Sequence, residues 1–213
     1  MAVLEEKSAV SHEVKMRHGA YLPHWTRDGA IYAVRFRLAD SLPKTVLDSL
    51  KFERQDIVKT AEHLGRALTP HEQERLDALH SEKVEKYLDQ GSGKCWLRED
   101  RIAKIVAEAL AFFDGTRYRL GAWCIMPNHV HTVVEPMRGH DLPEILHSWK
   151  SYSAKEINRV LGTKGPFWEE EYYDHLIRDE RDLDAQIEYV LTNPQRAGLK
   201  NWKWVGVARA SRP

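Results

Sequence analysis

The sequence has no net charge and almost no cysteine. Its 32 Lys and Arg residues are balanced by 32 Asp and Glu residues, so no global field would draw the chain to nucleic acid. Any such binding must depend on local patches. The two cysteines, Cys95 and Cys124, lie far apart beside apolar neighbours. This placement favours reduced, packed thiols over a disulfide framework or a zinc cluster.

Long apolar runs are also missing. The first ten residues contain two glutamates, and the most apolar predicted helix, Ile102 to Phe113, is interrupted by Lys104 and Glu108. We therefore expect neither a signal peptide nor a membrane span, and a cytoplasmic protein. The 213 residues, 42% of them hydrophobic, can bury a sizeable core, most simply in one domain.

The order of patterns along the chain predicts an α+β fold. Residues 1–20 are polar and indicate a flexible arm. Ala30 to Leu38 alternates strictly, which predicts a half-buried strand with Arg35 and Arg37 on a basic outer face. The charged segment 43–89 then accommodates two or three helices as an insertion. Its contribution to the fold and to function is left open by the sequence.

The second half of the chain predicts the remaining elements. They are strands at Arg119 to Met126 and His129 to Glu135, and helices at Ile102 to Phe113, Leu142 to Leu161 and Arg181 to Thr192. The last helix is expected to stop at Asn193, because the residue before Pro194 is disfavoured in the helical region. Strands joined by short hairpin links and mixed with helices argue for an antiparallel sheet.

Two histidines share one face of a predicted strand. In the stretch MPNHVH, His129 and His131 point to the same side, while Val130 points to the other. Two parallel imidazoles can share a divalent cation, although satisfied structural histidines have the same spacing. A barrel amidohydrolase or a cupin would need more strands than are predicted here. A zincin is excluded at His71, because Arg75 stands where HExxH needs its second histidine.

A nucleophile and a third ligand have to come from later in the chain. Tyr189 and Asn193 are four residues apart and therefore lie on one side of a predicted helix end. A tyrosine with a pKa of about 10 needs roughly 4 kcal/mol of activation at neutral pH, or a cation that polarises its target. The apolar neighbours of Tyr189 also fit a tyrosine that is packed in the core. Tyr172 and Tyr173 are chemically equally eligible as the nucleophile.

Several ordered motifs resemble one family. MPNHVH, then FWEEEYYDHLIRDERDL, then IEYVLTNPQRAGL are similar to the REP-associated tyrosine transposases, which belong to the single-tyrosine HUH endonucleases (transposase IS200-like family). The likeness extends upstream through YLPHWTRDGAIYAVRFRLADSLP and CWLREDRIAKIVAEALAFFDGTRYRLGAW. It covers Tyr21 to Trp204, which would form one domain with a basic tail at residues 205–213.

The resemblance implies a fold, a cofactor and a reaction. The fold would be a ferredoxin-like antiparallel sheet with packed helices, and the cofactor Mg²⁺ or Mn²⁺ on His129 and His131. Asn193 falls where a further polar ligand can come from. Tyr189 matches the nucleophile, which would attack single-stranded DNA and leave a 5′-phosphotyrosine link and a free 3′-hydroxyl. The substrate would be a hairpin formed by a palindromic REP repeat beside a guide tetranucleotide.

Candidate DNA contacts and rival functions remain open. Basic residues interleave with Trp202 and Trp204 near the C-terminus, and charge beside stacking planes suits exposed bases. The alternative is a solvated tail whose tryptophans close the core. The candidate DNA-binding residues are Arg35, Arg37, Arg196, Lys200 and Lys203, with Arg209 and Arg212 in the tail. The rival functions are a non-catalytic hairpin-binding regulator and a metallohydrolase that uses the histidine pair with water. A monomer and a homodimer are both compatible with the sequence, and a cytoplasmic DNA enzyme would be associated with the nucleoid.

Overall fold

The computed structural model describes residues 15–18, 23–27, 29–78 and 84–208. Its strands are β1 (Lys15–His18), β2 (Pro23–Thr26), β3 (Tyr32–Leu38), β4 (Tyr118–Ile125), β5 (His129–Pro136), β6 (Trp168–Leu176) and β7 (Val205–Val207). Its helices are α1 (Lys44–His63), α2 (Pro70–Ala78), α3 (Val84–Asp89), α4 (Asp100–Ala111), α5 (Leu142–Leu161) and α6 (Glu180–Arg196), with a 3₁₀ turn at Trp96–Arg98.

Five strands form one antiparallel sheet in the order β6-β3-β5-β4-β7. Leaving out β7, the chain order across the sheet is fourth, first, third, second, with α4 and α5 as the two crossovers. This is the β-α-β-β-α-β arrangement of ferredoxin-like folds. The predicted fold class is confirmed. Val205–Val207, assigned to the tail by the sequence, pairs with β4, so the sheet continues past residue 204.

One face of the sheet packs on α4 and α5 and forms the main core. Val130 and Phe36 lie in it, together with Trp149 of α5. The Trp149 indole donates to the Tyr118 hydroxyl at 2.8 Å, and that hydroxyl donates to the Leu110 carbonyl at 2.8 Å. The buried polar atoms of both aromatic side chains are thereby satisfied. Core packing on this side fixes which face of β5 is left for other partners.

The opposite face of the sheet is covered by α6. Val133 and Ala33, which are register partners, pack with Val190 of α6 in a second apolar cluster. Asp179 begins this helix, since its side chain accepts a hydrogen bond from the Asp182 N–H at 2.9 Å. Helix α6 therefore lies across the face that carries His129 and His131.

Helix α6 runs further than the sequence indicates. We expected it to stop at Asn193, but it continues through Pro194 to Arg196. Proline removes one N–H, so only a single hydrogen bond of the last turn is lost. The following turn is held by the Ala197 and Leu199 N–H groups, which donate to the carbonyls of Asn193 at 3.0 Å and Pro194 at 2.8 Å. These bonds outweigh the local preference of the residue before proline.

The insertion forms three helices, where the sequence predicted two or three. Pro70 begins α2 directly after Thr69, whose hydroxyl accepts from the Glu72 N–H at 3.2 Å while Glu72 accepts from the Thr69 N–H at 2.8 Å. This is a capping box. The three helices share an apolar cluster of their own, formed by Leu42, Leu50, Ile57, Leu76, Val84 and Leu88. The insertion is therefore a separate packing unit beside the sheet.

The N-terminal segment contains a two-stranded sheet. Lys15–His18 lies in the segment that we expected to be a flexible arm, but it pairs with β2. Residues 1–14 and 19–22 are outside the described residues. His24 of β2 is buried between two carboxylates of β6: its Nδ1 contacts Asp174, and its Nε2 lies 2.8 Å from Glu171. This charged cluster fastens the small sheet to the edge of the large one.

The His24 cluster predicts a loss of stability at alkaline pH. Burial lowers the pKa of His24, but hydrogen bonds with Asp174 and Glu171 outweigh this effect and raise it from 6.5 to about 9. A raised pKa means that folding favours the protonated form. The stabilisation is complete below pH 6.5 and is lost as the pH rises through about 9, in all on the order of 3 kcal/mol.

Urea unfolding at neutral and alkaline pH tests this linkage. His24→Gln, which carries no proton in this range, should flatten the decline in the free energy of unfolding between pH about 7 and about 10. The exposed His71 of α2, changed to Gln, serves as the control and should leave the decline unchanged. An equal decline in wild type and His24→Gln would contradict the prediction.

Both cysteines are free thiols. Cys124 is buried in the sheet, and burial raises its pKa to about 12. Among the residues described, none of the helices is long and apolar enough to span a bilayer.

Candidate metal and nucleophile site

The histidine pair lies on the α6 side of the sheet. His129 and His131 are on β5, where they are the register partners of Arg37 and Arg35 of β3. Val130 points into the main core on the other face, as the alternation of the sequence predicts. His129 is fully buried, and His131 is 5% exposed.

The orientation of His129 is fixed by its neighbour in the chain. Asn128 donates through Nδ2 to the carbonyls of Leu88 at 3.2 Å and Ser92 at 2.9 Å, so its Oδ1 is the acceptor that faces His129 Nδ1 at 2.7 Å. The proton of His129 therefore sits on Nδ1, and its Nε2 lone pair points toward His131. A second hydrogen bond of this kind is what orients metal-binding histidines.

Three potential ligand atoms converge at this point. The Nε2 atoms of His129 and His131 are 2.9 Å apart, and Oε1 of Glu85 lies 3.4 Å from His131 Nε2. All three lie within 4.8 Å of one another. Two ligands bound at about 2.1 Å and at right angles would be about 3 Å apart, as in octahedral sites. The donor set and its spacing fit a divalent cation.

Tyr189 approaches the pair from α6. Its ring centroid is 5.4 Å from that of His131, and its hydroxyl donates a hydrogen bond to Glu85 Oε1. The guanidinium of Arg196, one of the predicted DNA contacts, lies 4.9 Å from the Tyr189 ring centroid and is exposed. The structure thus brings the predicted nucleophile beside the predicted metal histidines.

The protonation states follow from burial and neighbouring charge. Burial lowers the pKa of His129 well below its ordinary value, which leaves the neutral imidazole that metals bind. Burial, followed by the Glu85 charge, raises the pKa of Tyr189, so the phenol keeps its proton at neutral pH. Burial alone would raise the pKa of Glu85, but His131 and Arg35 outweigh it and keep Glu85 ionised.

Asn193 lies one turn beyond Tyr189 on α6. Its side chain is 3% exposed, and Oδ1 accepts no hydrogen bond from any group in the described part of the chain. An unsatisfied buried amide oxygen is costly unless a further group binds it. This suits the predicted role of Asn193 as a metal ligand, which stays a prediction.

The other two candidate tyrosines have different surroundings. Tyr172 stacks on His24 at a centroid distance of 4.3 Å, on the face of the sheet opposite the histidine pair. Tyr173 shares the α6 side and lies beneath the Arg35 guanidinium, 5.3 Å from its ring centroid. The Tyr189 hydroxyl, by comparison, contacts Glu85 of the ligand cluster.

The predicted basic outer face of β3 is wrong as a description of exposure. Arg35 and Arg37 are each only 8% exposed, because carboxylates from other elements cover them. Arg35 pairs with Glu85, and Arg37 lies 3.3 Å from Glu169. Both arginines are thus buried charges on the α6 side of the sheet, which also carries the histidine pair. Their proposed contact with DNA stays a prediction.

The basic segment after α6 is fastened to the sheet. Trp202 donates to the Ile125 carbonyl at 2.8 Å, and Trp204 donates to Asp100 at 2.9 Å. Lys203 lies 2.6 Å from the same aspartate, whereas Lys200 is exposed. These contacts favour the interpretation that the tryptophans close the core. Arg209 and Arg212 are outside the described residues.

A cavity of about 660 Å³ opens beside the cluster. It lies between the sheet, α3 and α6, and its lining includes Arg35, Glu85, His131, Tyr173, Tyr189 and Arg196. Glu85 is the residue that sequence reasoning missed. It comes from the insertion, 44 positions before His129 in the numbering, and no local motif marks it.

Part of the chain is similar to known proteins. Residues 96–193 match the family described as "Transposase IS200 like". A REP-associated tyrosine transposase of Escherichia coli K12 is 25% identical over 81 residues, covering 38% of this chain and 47% of that protein. A Haemophilus influenzae protein, named provisionally as a REP-associated tyrosine transposase, is 26% identical over 97 residues, covering 39% and 55%.

The chain spans about half the length of these curated relatives. Among solved structures, a REP-associated tyrosine transposase bound to a REP hairpin aligns over 89% of this chain and 80% of its own, with a TM-score of 0.44 and 14% identity. Residues 96–193, which match the IS200-like transposase family, include the histidine pair and Tyr189.

Proposed function

We propose that the protein cuts and rejoins single-stranded DNA through Tyr189. The observation that carries the proposal is that the Tyr189 hydroxyl meets the cluster of Glu85, His129 and His131. A nucleophile and a cation site have to adjoin for a displacement at phosphorus. The match of residues 96–193 to the IS200-like transposase family supports DNA processing as the reaction class.

Mg²⁺ or Mn²⁺ would be held by His129 and His131, with Asn193 as the predicted further ligand. When bound there, the cation would withdraw charge from the phosphate and help to orient it. Asn128 supports the site by fixing the tautomer of His129. The fit rests on the close pair of Nε2 atoms and on the unsatisfied Oδ1 of Asn193.

The reaction exchanges one phosphorus-oxygen bond for another. Oη of Tyr189 attacks the scissile phosphorus and loses its proton, and the bond from phosphorus to the 3′ oxygen breaks. The DNA strand ends up joined to Tyr189 through its 5′ phosphate, and the other strand end takes up a proton as a 3′-hydroxyl. Attack by a 3′-hydroxyl on the phosphotyrosine reverses these steps and joins strands, because the ester keeps the energy of the original bond.

The substrate that we propose is a single strand containing a hairpin of the REP type. The support is that both curated relatives carry names of REP-associated transposases. Arg196 is exposed, lines the cavity and lies over the Tyr189 ring, which supports its proposed contact with a backbone phosphate. Such an enzyme would act on DNA of the nucleoid in the cytoplasm.

An adduct assay separates this function from its rivals. The full chain is incubated with labelled hairpin DNA and Mn²⁺, and the products are separated under denaturing conditions. A tyrosine transposase gives a denaturant-resistant protein-DNA adduct. A metallohydrolase that uses water gives cut DNA without an adduct, and a binding protein leaves the DNA intact. Either of these two results, obtained across a panel of hairpins, would refute the proposal.

A further inference from the structure

Glu85 contacts three functional groups with one carboxylate. Its Oε1 accepts from the Tyr189 hydroxyl and lies 3.4 Å from His131 Nε2, and its Oε2 pairs with Arg35. None of these partners belongs to the insertion that carries Glu85. The insertion therefore reaches these three groups through the Glu85 carboxylate, while Asp89 of the same helix also lines the cavity.

A DNA phosphate would need the same partners. In the reaction proposed above, the scissile phosphate has to lie against Tyr189 Oη and the cation on the histidines. Its charge also needs a fixed donor, and a guanidinium binds a carboxylate and a phosphate through the same fork of N–H groups. Arg35 is buried, so it requires an anionic partner in every state of the protein. Glu85 supplies that partner in this structure.

Access to the site points in the same direction. Tyr189, His131 and Arg35 all line the cavity, and the Glu85 carboxylate contacts all three of them. A strand entering the cavity cannot place a phosphate against Tyr189 Oη while the carboxylate is there. One of the two anions has to leave.

The attachment of α3 allows Glu85 to leave. Asn128 holds the C-terminal end of α3, where its Nδ2 donates to the carbonyls of Leu88 and Ser92. Glu85 lies one turn earlier, near the start of the helix. The start of α3 packs through Val84 in the apolar cluster of the insertion, so a tilt of the insertion about this fastened end would withdraw Glu85 without separating Asn128 from His129.

We propose that the Glu85 carboxylate occupies the subsite of the scissile phosphate. A DNA phosphodiester would displace this carboxylate and take over its contacts with Arg35 and Tyr189. The inference rests on the proposed function for the identity of the ligand. In this proposal the insertion closes the site, and the DNA substrate has to move it aside. Closing the empty site in this way also gives the buried Arg35 a counter-charge when no DNA is bound.

DNA binding without catalysis tests the subsite. Affinity for a fluorescein-labelled hairpin oligonucleotide with single-stranded flanks is measured by anisotropy, in a chelator and at constant salt. Glu85→Gln keeps the shape but removes the competing charge, so more of the protein is open, and it should bind about tenfold more tightly. Glu74→Gln, the same change at an exposed position of α2, should match the wild type. Equal or weaker binding by Glu85→Gln overturns the proposal.

Amide hydrogen exchange of the wild-type chain gives an independent reading. Saturating oligonucleotide should speed exchange of the hydrogen-bonded amides at the end of α3, including Gln90, whose acceptors lie in its first turns, because the helix has to move. Unchanged or slower exchange there overturns the proposal, whatever the variants do. If Glu85→Gln binds more tightly but no hairpin gives an adduct, the subsite stands and the proposed chemistry falls. If adducts form but Glu85→Gln binds like wild type, the proposed chemistry stands and the subsite proposal falls.

Discussion

Replacing Tyr189 with phenylalanine is expected to abolish the covalent protein-DNA adduct. The change removes the one oxygen that would attack the phosphate, and phenylalanine keeps the ring that lies beside His131. Loss of a nucleophile typically costs about 10⁴-fold or more in rate, and here no covalent product can form at all. The measurement is a denaturing gel of protein incubated with labelled hairpin DNA and Mn²⁺.

Tyr173→Phe is the matched control for this change. Tyr173 lines the same cavity and is chemically identical, but its ring lies beneath Arg35. We expect it to form the adduct at near the wild-type level. Hairpin binding by Tyr189→Phe should persist, which separates lost chemistry from lost folding. An adduct with Tyr189→Phe, or its loss with Tyr173→Phe alone, would assign the nucleophile elsewhere.

The sequence predicted those parts of the site that depend on the residue spacing within a single strand or helix. Alternation along β5 puts His129 and His131 on one face and Val130 on the other, and the structure agrees. Spacing along α6 likewise puts Tyr189 and Asn193 on one side of the helix. Such relations depend on backbone geometry alone. The pattern of elements predicted an α+β fold with an antiparallel sheet, and the family resemblance implied its ferredoxin-like form.

Contacts between distant segments could not be predicted in this way. Glu85 meets Tyr189 across 104 positions of the chain, and no spacing rule reaches so far. Arg35 looked like an exposed charge because alternation shows which face a residue is on, not what covers that face. The sequence did not predict β6 for the same reason. The acidic residues of this strand look exposed in the sequence, but Glu171 and Asp174 are buried against His24.

Replacing either histidine of the pair with alanine is expected to remove tight Mn²⁺ binding. Each imidazole offers one of the converging ligand atoms, so either change leaves a cation with a single histidine ligand. Loss of a supporting residue alone typically costs 10 to 100-fold in metal affinity, roughly, so loss of a ligand should cost at least about 100-fold. Titration followed by the EPR signal of free Mn²⁺ measures this without DNA.

Two further variants decide how the site is built. Asn128→Ala removes the acceptor that holds the proton of His129 on Nδ1, so Mn²⁺ affinity should fall by about 10 to 100-fold, less than for the ligands themselves. His147→Ala, at an exposed position of α5, should bind Mn²⁺ like wild type. If His129→Ala and His131→Ala bind as tightly as this control, the close approach of their imidazoles is a structural hydrogen bond and not a metal site. The cation would then have to be sought elsewhere, and Tyr189 would lose the neighbour on which its proposed role depends.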